Sequence, residues 1–167
     1  MVSPVTRFPI QFGVTPAPTA ATVPIVAGAV YDPLGDGNPD YKSYVDRAYD
    51  GNPDSGWLTW VYKQQFPTLK TGVGPMLHLH QQTTPRSVQI TSATPGTTVE
   101  NRSATAPTTT LDQTTVLGSG TITDKPLTIT MTNPPKSYYL LVFVTKMAKT
   151  GANQYQSKIN EIAVTGN

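Results

Sequence analysis

Nine short apolar runs, each ended within ten residues by Pro, Gly, Asn, Asp or a polar pair, constrain this chain more than anything else in it. They are PIVAGAV (24–30), GWLTWVY (56–62), GPMLHLHQ (74–81), RSVQITSA (86–93) and TTVENRSA (97–104), then TVLGSGTIT (115–123), PLTITMTN (126–133), SYYLLVFVTK (137–146) and SKINEIAVTG (157–166). Several alternate with period two, as Leu127, Ile129 and Met131 do. Successive side chains of a strand point to opposite faces, so such a run lays one face on a core. SYYLLVFVTK is apolar on both faces, which predicts a central strand. Only SYVDRAY (43–49) can make a short helical turn. Composition agrees: Thr, a strand former, is the commonest residue with 27 copies, and 16 Pro and 13 Gly punctuate the runs. The fold class is all-β, and nine short strands with regular turns predict a β-sandwich.

A chain of 167 residues suits one domain with a real core. Residues 1–23, rich in Pro, Thr and Ala, read as a linker or N-terminal extension with some alternation at Phe8, Ile10 and Phe12. The folded domain is expected over 24–167. A net charge of +2, without a Lys/Arg cluster, gives no nucleic-acid footprint. Zero Cys excludes a disulfide scaffold and a thiolate zinc site. No apolar run reaches the ~18–20 residues needed to span a membrane, and no signal peptide is evident. If the domain works outside the cytoplasm, its anchor is expected upstream. His78 and His80, two apart on a strand, share a face, but no third His or Cys completes a zinc site. Asn101-Arg-Ser103 is a formal glycosylation sequon. No nucleophile elbow, phosphate loop or dinucleotide loop is present, so the sequence gives no reason to expect an enzyme.

The pentapeptide DGNPD occurs twice, at 36–40 and 50–54. Its Asp, Asn and Asp at positions 1, 3 and 5 are spaced like the first ligands of an EF-hand loop. That loop also needs Gly at position 6 and Glu at position 12. Here those positions hold Tyr41 or Ser55, and Arg47 or Val61, which excludes an EF-hand pair. Asp-Gly-Asn-Pro is also strong turn chemistry: Gly permits positive φ, Asn and Asp bond their own backbone, and Pro fixes φ.

The second copy lies in RAYDGNPDSGWLT (47–59), which resembles the Asp-Gly…Trp motif of discoidin-type, galactose-binding-like jelly-roll β-sandwiches. VGPMLHL (73–79), SYYLLVFVTK (137–146) and INEIAVTG (159–166) resemble the family's middle strand and closing strands. A narrower likeness joins DPLGDGNPD (32–40), the Asp-Gly…Trp motif and FPTLKTGVG (66–74). Together they resemble the extracytoplasmic domain of actinobacterial MviN-type relatives of the lipid II flippase. The resemblance implies a non-catalytic binding domain, extracytoplasmic and attached to the plasma membrane through an upstream segment. Its implied partner is a cell-wall glycan or lipid-linked precursor, or else an envelope or division protein.

The family likeness also implies site residues. A structural Ca²⁺ would lie beneath the second turn on Asp50, Asn52, Ser55 and Glu161, whose hard oxygens suit it. Otherwise the turn closes on its own hydrogen bonds, and Glu161 pairs with Arg47 or a backbone donor. The first copy, without a distant acidic partner, reads as a turn only. Trp57 is expected between the sheets. Trp60, Tyr62 and Phe66 stand at the start of loop 63–72, which carries Lys70; Tyr155 stands in loop 145–157 with Lys146 and Lys149. These are the candidate ligand contacts, since aromatics stack on sugar faces or anchor protein partners. Trp60 and Tyr62 could equally continue the face of their strand, and the lysines could be solvated.

Overall fold

The computed structural model describes residues 20–167. In chain order its strands are β1 (Ala21–Val23), β2 (Ile25–Tyr31), β3 (Trp57–Leu58), β4 (Gly74–Thr83), β5 (Pro85–Thr91), β6 (Thr98–Ala104) and β7 (Thr115–Thr121). There follow β8 (Leu127–Thr130), β9 (Ser137–Lys146), β10 (Lys149–Gly151), β11 (Gln154–Tyr155), β12 (Lys158–Ile159) and β13 (Glu161–Gly166). A five-stranded sheet in the order β2-β4-β9-β6-β7 faces a four-stranded sheet in the order β1-β13-β5-β8. Every pairing is antiparallel. The domain is an all-β jelly-roll β-sandwich, the class expected from its sequence.

The core follows from the alternation. Leu77 and Leu79 on β4, Leu140, Val142 and Val144 on β9, and Val99 on β6 point inward from the larger sheet. They meet Val88 and Ile90 on β5, Ile162 and Val164 on β13, and Ile129 on β8. Burying each such side chain contributes roughly 1.5–3 kcal/mol. The other face of the larger sheet carries a second, smaller cluster of Tyr31, Met76, Ala104, Leu141 and Phe143. That explains why β9 is apolar on both faces: it is the middle strand of five, and each of its faces has something to cover.

Three sequence expectations need adjustment. GWLTWVY is not one long strand; only Trp57–Leu58 pairs, with β12, and Tyr62 adds a single bridge to Tyr155. The polar stretch 145–157 is not all loop, since β10 and β11 form a small hairpin there. Residues 1–19 of the expected linker lie outside the described residues, but Ala21–Val23 at its end form an edge strand on β13. The expected helical turn is a 3-10 helix over Lys42–Ala48, whose Val45 and Ala48 pack on the core.

Candidate ligand-binding site

The two DGNPD segments open with the same local turn. Asp36 Oδ1 accepts the Asn38 N–H at 3.0 Å, and Asp50 Oδ1 accepts the Asn52 N–H at 2.9 Å. The glycine between them has φ of +91° in one copy and +80° in the other, a region that only Gly enters without strain. At position 5 they part. Asp54 is exposed, whereas Asp40 is completely buried.

Asp40 is a junction. Its carboxylate accepts the Trp60 backbone N–H at 2.7 Å and the Tyr62 hydroxyl at 2.8 and 2.9 Å, and its carbonyl accepts the Trp57 indole N–H at 2.6 Å. Lys70 Nζ stands 3.3 Å from Asp40 and 3.0 Å from Asp32. Buried carboxylates persist only when paired and hydrogen-bonded, and here both conditions are met. Burial, then the hydrogen bond to Asp40 and its charge, push the Tyr62 hydroxyl far above its usual range, so it stays a donor. Burial also holds the Asp32 carboxyl above the usual range, against the opposing effect of Lys70. The first DGNPD segment is therefore more than the turn its sequence suggested. It ties segment 31–40 to segment 57–70.

Between those segments opens a pocket of about 350 Å³, lined by Asp36, Asn38, Asp40, Trp60, Tyr62 and Lys70, with Leu34 and Leu69 at its apolar side. Three of the five expected ligand contacts, Trp60, Tyr62 and Lys70, come together here. The half-buried Trp60 ring leans on Tyr41 at 4.2 Å between centroids, and its indole N–H reaches the Asn38 carbonyl at 3.4 Å. Phe66 is a correction: at 5% exposure it belongs to the core, edge-on to Tyr62, because an apolar ring in that loop gains more from the sandwich than from water. Tyr155 stands apart from the pocket. It pairs with Tyr62 through the backbone but faces a separate depression of about 530 Å³, with Lys146 and Lys149. Asp32, Asp36, Asn38 and Asp40 are the site residues that sequence reasoning missed. Their only signal was three Asp spaced by four in a nine-residue stretch.

The second turn closes on its own hydrogen bonds. Ser55 Oγ donates to Asp50 Oδ2 at 2.6 Å, and the Gly51 N–H is shared by both Glu161 oxygens at 3.1 Å. Glu161 thus takes a backbone donor, while Arg47 stacks on the Tyr44 ring at 4.1 Å. The Ser55 bond, then the Asn52 N–H, hold Asp50 below the usual carboxylate range; burial, despite the Gly51 bond, holds Glu161 above it. Two neighbouring carboxylates are hard-oxygen donors of the kind Ca²⁺ takes, but each of their oxygens already accepts an N–H or O–H within the turn. Asn52 Oδ1 is occupied in the same way, by the Asp54 N–H at 2.9 Å. The histidines do not converge on a metal. His78 stacks on Tyr139 at 4.8 Å, His80 is exposed, and no group of three His, Cys, Asp or Glu side chains suited to a metal occurs among the described residues.

No family model matches the chain. Solved structures do. The family 32 carbohydrate-binding module of AlyQ, in complex with 4,5-unsaturated mannuronic acid, superposes with a TM-score of 0.58 at 16% identity, over 86% of this chain and 97% of that one. A family 32 module of NanJ from C. perfringens, in complex with galactose, gives 0.53 at 18% identity, over 83% and 92%. Chitosan-binding module 1 of a chitosanase/glucanase from Paenibacillus sp. IK-5 gives 0.58 at 16% identity, over 84% and 93%. At such identities the likeness is one of fold.

Proposed function

We propose that this domain is a non-catalytic glycan-binding module whose ligand enters the pocket of Trp60, Tyr62 and Lys70. One observation carries the reading: a half-exposed indole, the exposed Asp36, which has no ion-pair partner among the described residues, and Asn38 line a single concavity. A pyranose offers a C–H face to an aromatic ring and a rim of hydroxyls to polar groups, and those are the two halves of this pocket. Solved modules of the same fold, one in complex with galactose, another with a mannuronic acid unit and a third named for chitosan binding, support it. The motif resemblance extends the reading to a cell-envelope setting, outside the cytoplasm, on peptidoglycan or its lipid-linked precursor. Ca²⁺ at Asp50, Asn52, Ser55 and Glu161 would brace the Trp57 turn in the same reading.

A second reading, a docking site for an envelope protein, is favoured by the apolar rim. Leu34 and Leu69, which line the pocket, are each more than half exposed, and exposed apolar side chains of this kind suit a protein surface. Calorimetric titration with amino-sugar oligomers and disaccharide muropeptides separates the two. Saturable binding that Trp60→Ala abolishes is expected. Absence of binding to every glycan, with capture of an envelope protein that Leu34→Asp prevents, would replace the first reading by the second.

A further inference from the structure

Across Leu34 the surface dips again. A groove of about 810 Å³ runs over the outer face of the five-stranded sheet, with Tyr31 and Met76 in its lining and the 105–114 loop as one wall. Leu34 lines both concavities, and Asp32, on the groove side, bonds Lys70, on the pocket side. At its far end, Met76 and Pro107 lead into a recess of about 190 Å³ that reaches the stacked His78 and Tyr139 rings. Sites for single small molecules run from about 300 to 1,000 Å³. The pocket alone is at the bottom of that range; pocket and groove together exceed it.

The charges along this path are unequal. Lys70 is neutralised by Asp32 and Asp40, and Arg102 by Glu100 at 3.0 Å. Asp36 and Asp112 have no cationic partner among the described residues. A ligand lying here meets two uncompensated carboxylates, which repel uronates and pyrophosphate and suit neutral or amine-bearing sugars.

Resting on the glycan reading above, we infer that the domain takes an extended chain of neutral or cationic sugar units, running from the Trp60 pocket over Leu34 into the groove. A single sugar end would leave most of the path empty, and an acidic polymer would meet the wrong charge; of the two ligands in that reading, this selects the glycan strand over the pyrophosphate end of a lipid-linked precursor. The ligand class is then the sugar backbone of an amino-sugar polymer.

Titration calorimetry at fixed salt tests this with glucosamine dimer and hexamer, their N-acetylated forms, and galacturonate dimer and hexamer. A hexamer gains about fivefold over a dimer from its extra registers alone. The expected gain is larger, about tenfold or more. Thr108→Trp, at an exposed position on the groove wall, is expected to return the hexamer to the statistical factor with the dimer unaffected. Asp112→Lys is expected to narrow the disadvantage of the galacturonate hexamer, which keeps the test open should the first variant misfold. A hexamer within the statistical factor of the dimer, or tighter binding of galacturonate, overturns the inference. In that event dimer binding that Trp60→Ala removes still upholds the pocket. No binding at any length withdraws both.

Discussion

Replacing Lys70 by Met keeps most of the stem and removes the ammonium between Asp32 and Asp40. The side chains of those two carboxylates are 2% and 0% exposed, so the variant leaves like charges facing each other out of reach of water. Removing one partner of a buried ion pair costs about 3–5 kcal/mol. Trp60 and Tyr62 still donate to Asp40, which puts the expected loss at the lower end, near 3 kcal/mol. The sign with pH follows from Asp32, whose carboxyl is held above its usual range by burial even with Lys70 present. A carboxyl that binds its proton more tightly folded than unfolded favours folding most at low pH. That advantage is lost as pH rises from the unfolded value through the folded one. Without Lys70 the carboxyl rises further, so the penalty is greatest at pH 7 and shrinks in acid. Urea melts of both proteins at pH 7 and pH 4.5 measure it. The difference between them should be about 3 kcal/mol at pH 7 and smaller at pH 4.5. A loss under about 1 kcal/mol at pH 7, or one independent of pH, would refute the buried-pair account and return Lys70 to the solvated surface.

Trp57→Ala empties a fully buried site and strands the Asp40 carbonyl, so a loss of about 3–5 kcal/mol is expected in denaturant melts. Trp60→Ala should cost clearly less, and the reverse order would contradict the packing described. Millimolar Ca²⁺ after chelation should raise the melting temperature, and Asp50→Ala should remove that response. The response should fade in mild acid, because Glu161 keeps its proton to higher pH than usual; identical melts with chelator and with Ca²⁺ would leave the turn to its hydrogen bonds. Asn101→Leu should stabilise by about 1 kcal/mol, since both amide atoms are buried without a partner among the described residues. A loss of that size would mean the amide is satisfied after all.

Where a residue's role is set by its neighbours along the chain, the sequence was legible. The period-two runs gave the strands, the double apolar face of 137–146 gave the central one, and the Asp-Gly…Trp motif gave both Trp57 and the link to Glu161. Where the role is set by what the topology delivers, it was not. Two identical pentapeptides start the same turn, yet one hides its last Asp and the other exposes it, because only Asp40 finds Lys70, Tyr62 and the Trp60 amide waiting. Phe66, buried in the core, and Tyr155, in another depression, stand apart from the pocket because a loop residue's exposure and direction depend on the sheet beneath it. The groove could not be read at all, since its walls come from segments 31–34 and 105–114, far apart in sequence and brought together by β2 and β6 in one sheet.

The pairing of β1 with β13 has a mechanical consequence. Ala21 lies opposite Gly166 and Val23 opposite Val164, so both ends of the described chain leave from the same end of one antiparallel pair. Tension drawn between Ala20 and Asn167 would load those bonds in sequence, as a zipper is opened, and not all together as in shear. Under pull the domain should therefore peel from β1 at low force and expose the edge of β13, while the larger sheet that carries the pocket and the groove stays folded behind it. Single-molecule extension between those two positions should show a small early step before the main rupture.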